Sequence, residues 1–245
     1  FGITGIKDIR AILKLYNDRG VPVRFTWTNS LLEEKHIYDT YCNLIMKEAD
    51  NGMNQVLVNR PVLEEYIRRQ YPGFKLISST TKRITGLDGL LEELNKDYFL
   101  VVLDYDLNHN EEVLSAIGKQ ADKVEILVNE ICYPGCPKRS EHYRQQSQMQ
   151  LEYDIDAAFP CPNKTRERKF EECKERPSFI SREQIREYAD RGFVNFKIVG
   201  RGMPMDFVKE SYLYYLVKDD SRAFIRNKME STLNQFAQAM RKRKA

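Results

Sequence analysis

The stretch Val124-Glu125-Ile126-Leu127-Val128-Asn129, followed by Glu130-Ile131-Cys132-Tyr133-Pro134-Gly135-Cys136-Pro137, decides how the chain is read. Its first part has the apolar density of a buried strand, and its second part is a tight loop punctuated by Pro134 and Gly135. Cys132 and Cys136 sit in that loop, and Cys161 and Cys173 follow downstream. Thiolates are soft ligands that select zinc or iron–sulfur clusters, and α/β folds keep their chemistry at the C-terminal ends of their strands. The spacing is not the paired CxxC of a zinc ribbon, nor the CxxxCxxC used for radical chemistry on S-adenosylmethionine. Read from the residues alone, these cysteines are ligands of an iron–sulfur cluster, ligands of a structural zinc, or unrelated reduced thiols.

Outward from this stretch, strand and helix alternate. Ile6, Ile9, Ile12, Leu13 and Tyr16 repeat with helical spacing and stop at Arg19-Gly20. A strand over 21–27, a helix over 33–49, a strand over 54–59 and a helix over 62–70 with Pro61 in its first turn follow. Next come strands over 74–79 and 98–104 with a helix over 87–95 between them, then a helix over 111–120 leading to the cysteine strand. Beyond the cysteines, Ser181 with Gln184 three residues on is a capping-box signature, ahead of a strand over 193–199 and a helix from Asp206. Near-continuous apolar strands separated by helices predict a parallel sheet buried on both faces. The expectation is α/β: a single (β/α) TIM-type barrel over 1–245, lacking its first strand in this chain, with a cysteine-rich metal-binding insertion over 130–178. The chain begins at Phe1, directly before a helical pattern, which suggests that an upstream segment precedes it.

A net charge of +3 over 245 residues offers little pull on a nucleic-acid backbone, and Arg241-Lys242-Arg243-Lys244 reads as a solvated tail. No apolar run reaches membrane-spanning length and no signal-peptide pattern opens the chain. The expected location is therefore the cytoplasm, where clustered cysteines point to metal rather than disulfides. Cys42, among Ile37, Ile45 and Met46, reads as a small buried hydrophobe, and His142 as an exposed loop histidine. No Ser-His-Asp set, HExxH or glycine-rich phosphate loop is evident.

A second set of polar residues falls at predicted strand ends: Asn29, Asn59, Ser79, Thr80, Asp104, Asp106, Asn129 and Glu130, with Lys197 and Arg201 after the last strand. In a barrel these converge on one mouth beside the cysteines. Singly, such residues serve as helix caps; together they suggest a site, with Arg201 suited to clamp a carboxylate or phosphate.

Two segments carry a family resemblance. Asn195-Phe196-Lys197-Ile198-Val199-Gly200-Arg201, with Phe207-Val208 and Tyr214, resembles the "LKIEGR…YV…Y" motif of the peptidase U32 superfamily. The Cys132-Tyr133-Pro134-Gly135-Cys136 loop is similar to that superfamily's "C-x-S-x-x-G-x-C" segment, and the likeness spans mainly 98–217. It implies a TIM-type barrel with a [4Fe–4S] cluster on Cys132, Cys136, Cys161 and Cys173, rather than zinc. It also implies oxygen-independent hydroxylation or a related redox or oxygen transfer, as in branches acting on RNA pyrimidines or quinone precursors. Two departures stand out: Val199 replaces the usual glutamate, and no CQPCR-like pairing is present. The expected site then comprises the cysteines, Lys197, Arg201, Glu130 and Asp104. The substrate would be an unidentified small molecule or RNA, with a possible protein partner or electron donor. The competing readings are a U32-like peptidase and a non-catalytic, metal-stabilised binding protein.

Overall fold

The computed structural model describes residues 4–154, 159–161 and 168–244. Six strands form one parallel sheet in sequential order: β1 (Arg24–Trp27), β2 (Gln55–Val58), β3 (Lys75–Ser78), β4 (Leu100–Val102), β5 (Val124–Leu127) and β6 (Asn195–Lys197). Sequential parallel order requires a crossover between every pair. These are supplied by α2 (Thr40–Ala49), α3 (Pro61–Gln70), α4 (Leu87–Asn95) and α5 (Glu111–Ile117), and by α6 (Arg139–Glu152), α7 (Phe170–Lys174) and α8 (Arg182–Asp190) between β5 and β6. α1 (Ile6–Asn17) precedes the sheet, and α9 (Met205–Leu216) and α10 (Arg222–Lys244) follow it.

The period-2 alternation of the strands separates two faces. Val56, Val58, Leu76, Val101, Leu103, Val124, Ile126 and Val128 pack outward with Leu63, Ile67, Leu90, Leu94 and Val113 of the helices. Leu57, Ile77, Leu100, Val102 and Leu127 form a separate, smaller cluster on the other face, with Val199 against it. That second face is concave. Arg24 on β1 places Nη1 2.6 and 2.7 Å from the two carboxylate oxygens of Glu125 on β5. In a flat sheet four spacings of ~4.8 Å would hold those strands ~19 Å apart, beyond the reach of two side chains. The sheet therefore curls into a partial (β/α) barrel. Arg24 also donates to Gln55 Oε1 at 2.8 Å, and Lys197 Nζ lies 4.0 Å from Glu125 Oε2, so a polar layer sits below the apolar one inside the curl.

Several predicted elements change on folding. The helix expected over 33–49 is broken: Asp39 accepts from the Cys42 amide at 2.7 Å and starts α2 afresh, leaving only a 3-10 turn over Glu34–His36. The segment read as a cysteine-rich insertion over 130–178 carries α6 and α7, and its residues 155–158 and 162–167 lie outside the described ones. The predicted basic tail continues α10 as helical backbone, its side chains likewise outside the described residues. Cys42 is half-buried rather than buried. The capping box at Ser181 forms as expected, with both of its hydrogen bonds present. Among the described residues no helix is long and apolar enough to cross a membrane.

The Glu125 side chain is only 5 % exposed, so removing its partner strands a buried carboxylate. Arg24→Met is expected to cost about 3 kcal/mol, read as a lower urea midpoint. Arg24→Met combined with Glu125→Leu should cost less than Arg24→Met alone. A double variant as unstable as the sum of its singles would show that the pair does not hold the curl.

Candidate functional site

The C-terminal ends of the strands open onto one mouth, and the cysteine loop rises from β5 at its edge. Asp104, just past β4, is 2 % exposed and accepts from Arg83 Nη1 at 2.7 and 2.5 Å and from the Asp106 amide at 3.1 Å. Arg83 Nη2 reaches Asp106 Oδ2 at 2.8 Å, and Asp106 Oδ1 accepts from the Gly135 amide at 3.0 Å. Gly135 has φ +66°, a left-handed turn that glycine adopts without a Cβ penalty. An acidic loop on β4 thus pins the cysteine loop on β5. Burial raises the Asp104 pKa against the pull of the Asp106 amide and Arg83.

Glu130 is the hub of the cysteine loop. Its Oε1 accepts from the Cys132 amide at 3.0 Å, and its carbonyl accepts from the Cys173 thiol at 3.6 Å. Burial raises its own pKa, while the Cys132 and Ile131 amides and Lys197 oppose the shift. The Cys132 thiol is pushed up to about 12, first by burial and then by the fields of Glu130, Cys136 and Cys161. Cys132 thus feels the charges of two of the other expected ligands. Cys173 stands apart: it is fully buried among Phe170, Phe207 and Tyr215, and burial with Glu130 pushes its thiol to about 12. Among the described residues, no three His, Cys, Asp or Glu side chains are arranged so that they could hold a metal ion. Thiols are the donors that soft metals prefer.

Lys197 leans into the concave face beside Glu125. Burial lowers its pKa to about 8, helped by Arg24 and Arg201 and opposed by Glu125 and Glu130. Its side chain nevertheless keeps 24 % of its surface. Arg201 is exposed at the rim, so the lowered pKa it owes to the protein beneath leaves it charged. Asp104, Glu130, Lys197 and Arg201 thus form a chain of mutually sensed charges, although Asp104 is committed to Arg83.

The remaining strand-end residues act as clamps. Asn129 donates to Val199 O at 3.0 Å and accepts from Val199 N at 2.6 Å, tying β5 to the end of β6. Asn59 donates to Thr81 at 2.9 Å, and Ser79 accepts from the Thr81 amide at 3.2 Å. Thr80 Oγ1 is buried without a hydrogen-bond partner among the described residues. Asn29 donates to Ser147 O at 2.8 Å, and Ser30 meets Ser147 Oγ at 3.0 Å. These last contacts dock the far end of α6 on β1, while its near end packs Arg139 over the Tyr105 ring at 4.0 Å, beyond β4. With a length of ~20 Å, α6 lies across the mouth. Its His142 stacks on Phe159 at 4.5 Å, two residues before Cys161. A cleft of about 530 Å³ opens beside α6, lined by Ser30, Arg60, Arg144 and Gln148 among others, a size usual for small-molecule sites.

No profile of a known protein family matches the chain. Over 184 residues it is 27 % identical to "Uncharacterized protease MJ1657" of Methanocaldococcus jannaschii, covering 72 % of this chain and 54 % of that protein. The chain thus spans about half the length of its curated relative. It is also similar to the solved structure titled "The Structure of the U32 Peptidase Mk0906", with a TM-score of 0.54 at 20 % identity, covering 82 % of this chain and 78 % of that one. The first relative is named as a protease, and the second, titled a U32 peptidase, shares its fold with this chain. In this chain Val199 stands where the U32-like motif carries glutamate, and its side chain packs on the inner apolar cluster. The nearest carboxylate to Lys197 comes instead from the neighbouring strand, as Glu125.

Sequence reasoning missed Arg24, Glu125, Arg83, Arg139 and Arg176. A charged residue inside an apolar strand was a usable signal for the first two, since the inner face of a curled sheet is where it can be paired. Nothing local marked Arg83, a non-glycine residue at φ 58°.

Lys197 should lose its proton near pH 8, well below the ordinary lysine value of ~10.4. Its acetylation by acetic anhydride, followed by peptide mass spectrometry, should therefore rise with a midpoint near 8. Glu125→Gln should lower that midpoint further, because the carboxylate holds the proton on. Since the unfolded chain keeps that proton to higher pH, the stability burden of Lys197 is complete below 8 and lifts as the pH climbs towards 10.4. A midpoint near 10 would refute the assignment.

Proposed function

We propose that this chain is the core of a U32-type enzyme that carries a [4Fe–4S] cluster at the barrel mouth and performs oxygen-independent hydroxylation or a related oxygen or electron transfer. The observation that supports the reading is the cysteine loop rising from the end of β5, where Cys132 feels the charges of Glu130, Cys136 and Cys161. The full architecture would be a TIM-type barrel whose first strand lies outside this chain, with 130–178 as the metal-binding segment. Cys132, Cys136 and Cys161 would hold the cluster, and Cys173 would join them on leaving the Glu130 carbonyl. The resemblance to U32 proteins is what favours the cluster over zinc. Once bound, such a cluster supplies one-electron chemistry tuned by nearby hydrogen bonds and exposure.

The chain's own groups have separable tasks. Arg201 offers a charged rim to an anionic substrate or donor, whether a small molecule or RNA. Lys197 holds a proton that it can release near pH 8. Glu130 orders the loop through the Cys132 amide. Asp104, held by Arg83, positions rather than reacts. Peptidase activity is the second reading, favoured by the names that both relatives carry.

The test is iron and acid-labile sulfide on anaerobically purified protein and its Cys132→Ala variant. About four irons per chain, lost in the variant, is the expected result. Stoichiometric zinc without sulfide would overturn the redox mechanism. Cleavage of casein by metal-free protein, abolished by Lys197→Met, would install the peptidase reading instead.

A further inference from the structure

Lys197 stands between Phe196 and Ile198, which both pack with the outer core. Side chains alternate along a strand, so Lys197 points the other way, into the curl. It is in register with Leu127, a member of the inner apolar cluster, and two positions before Val199, which packs against that cluster. Its stem thus runs beside hydrocarbon, while its side chain keeps 24 % of its surface.

The nitrogen at the end of that stem is uncommitted. Its nearest carboxylate oxygen, Glu125 Oε2, stays at 4.0 Å, outside hydrogen-bonding distance. Arg24 holds both oxygens of that carboxylate, at 2.6 and 2.7 Å. Lys197 Nζ is not one of the buried unpartnered atoms among the described residues, so water reaches it. The other half-buried lysines are all tied. Lys82 donates to Glu64, Glu93 and Tyr98, Lys123 to the carbonyls of Leu94 and Lys96, and Lys209 to Glu230.

A lysine amine kept from full hydration and set near other cations is an activated nucleophile for carbonyl carbon. With its pKa brought to about 8 by burial, Arg24 and Arg201, about half of it is free amine at pH 8, against roughly one in 250 for an ordinary lysine. Arg201, on the loop after β6, is exposed and has no carboxylate partner among the described residues. A guanidinium of that kind receives carboxylate or phosphate.

We infer that Lys197 forms an imine with an aldehyde or ketone that carries an anionic group, and that Arg201 receives the anion at the rim. The free amine adds to the carbonyl carbon, so that a C–N bond forms and the carbonyl π pair moves to oxygen. That oxygen gains a proton as the nitrogen loses one. The hydroxyl then leaves with the second nitrogen proton as water, and the imine remains with no change of oxidation state. This activity goes beyond the iron–sulfur reading and does not depend on it.

The experiment incubates the full chain with pyruvate and sodium cyanoborohydride at pH 8 and maps the reduced adducts by peptide mass spectrometry. Lys197 is expected to be labelled at least about tenfold faster than the exposed Lys119 and Lys218, and Lys82 to stay unmodified. Arg201→Met should cut the labelling by pyruvate about tenfold and leave that by acetone, which carries no anion, unchanged. Labelling of Lys197 no faster than that of the exposed lysines overturns the inference, whether or not the protein holds iron. The parent chain decides that point, so no variant has to fold for it. Equal losses with pyruvate and acetone in Arg201→Met overturn the part given to Arg201.

Discussion

The ion pair between Arg24 and Glu125 is the constraint on which the rest of the molecule depends. It joins the first strand to the fifth across the concave face, which no flat sheet allows. Once β1 and β5 are held that close, the strand ends between them must face a common mouth. The loops after β1, β4, β5 and β6 then become neighbours although they are far apart in sequence. The contact of Asn29 with Ser147 and of Asp106 with Gly135 are consequences of that curl.

The same pair sets the electrostatics of the interior. Glu125 answers Arg24 directly and Lys197 at longer range, so one carboxylate balances two cations in a space with little water. Burial, added to the charges of Arg24 and Arg201, outweighs Glu125 and Glu130 at Lys197, which is why its proton is loosely held. A structural device and a chemically poised amine are thus the same cluster of side chains. Strengthening the first by adding a second carboxylate would dull the second. The valine at 199 fits this economy, since a glutamate there would give Lys197 a further carboxylate on its own strand.

The fold was legible because its signals are local. Alternating apolar strands, the Pro61 helix start and the Ser181 capping box each depend on residues close in sequence, and each formed. The place of the cysteine loop at the end of β5 was legible for a related reason, since strand-end loops of a parallel sheet open on one side. What was not legible depends on distance. Asp39 ends one helix pattern and begins another through a single side-chain bond. Asp104 looked like a free acid until Arg83, from a left-handed turn on the preceding loop, closed on it. α6 has almost no apolar face to announce it, because it packs through Ser147, Arg139 and backbone contacts rather than through a hydrophobic stripe. Pairing across a fold is invisible to periodicity.

The cysteine loop shows how position and charge are divided between neighbours. Its place is fixed from β4, through Asp106 and the left-handed Gly135, and not by the cysteines themselves. Downstream, the turns after Cys136 and Cys173 bring Arg139 and Arg176 to Tyr133. Glu130 links the two, with its carboxylate on the Cys132 amide and its carbonyl on the Cys173 thiol. A loop pinned from β4 on one side and from α7 on the other takes its place from its neighbours, not from its own sequence.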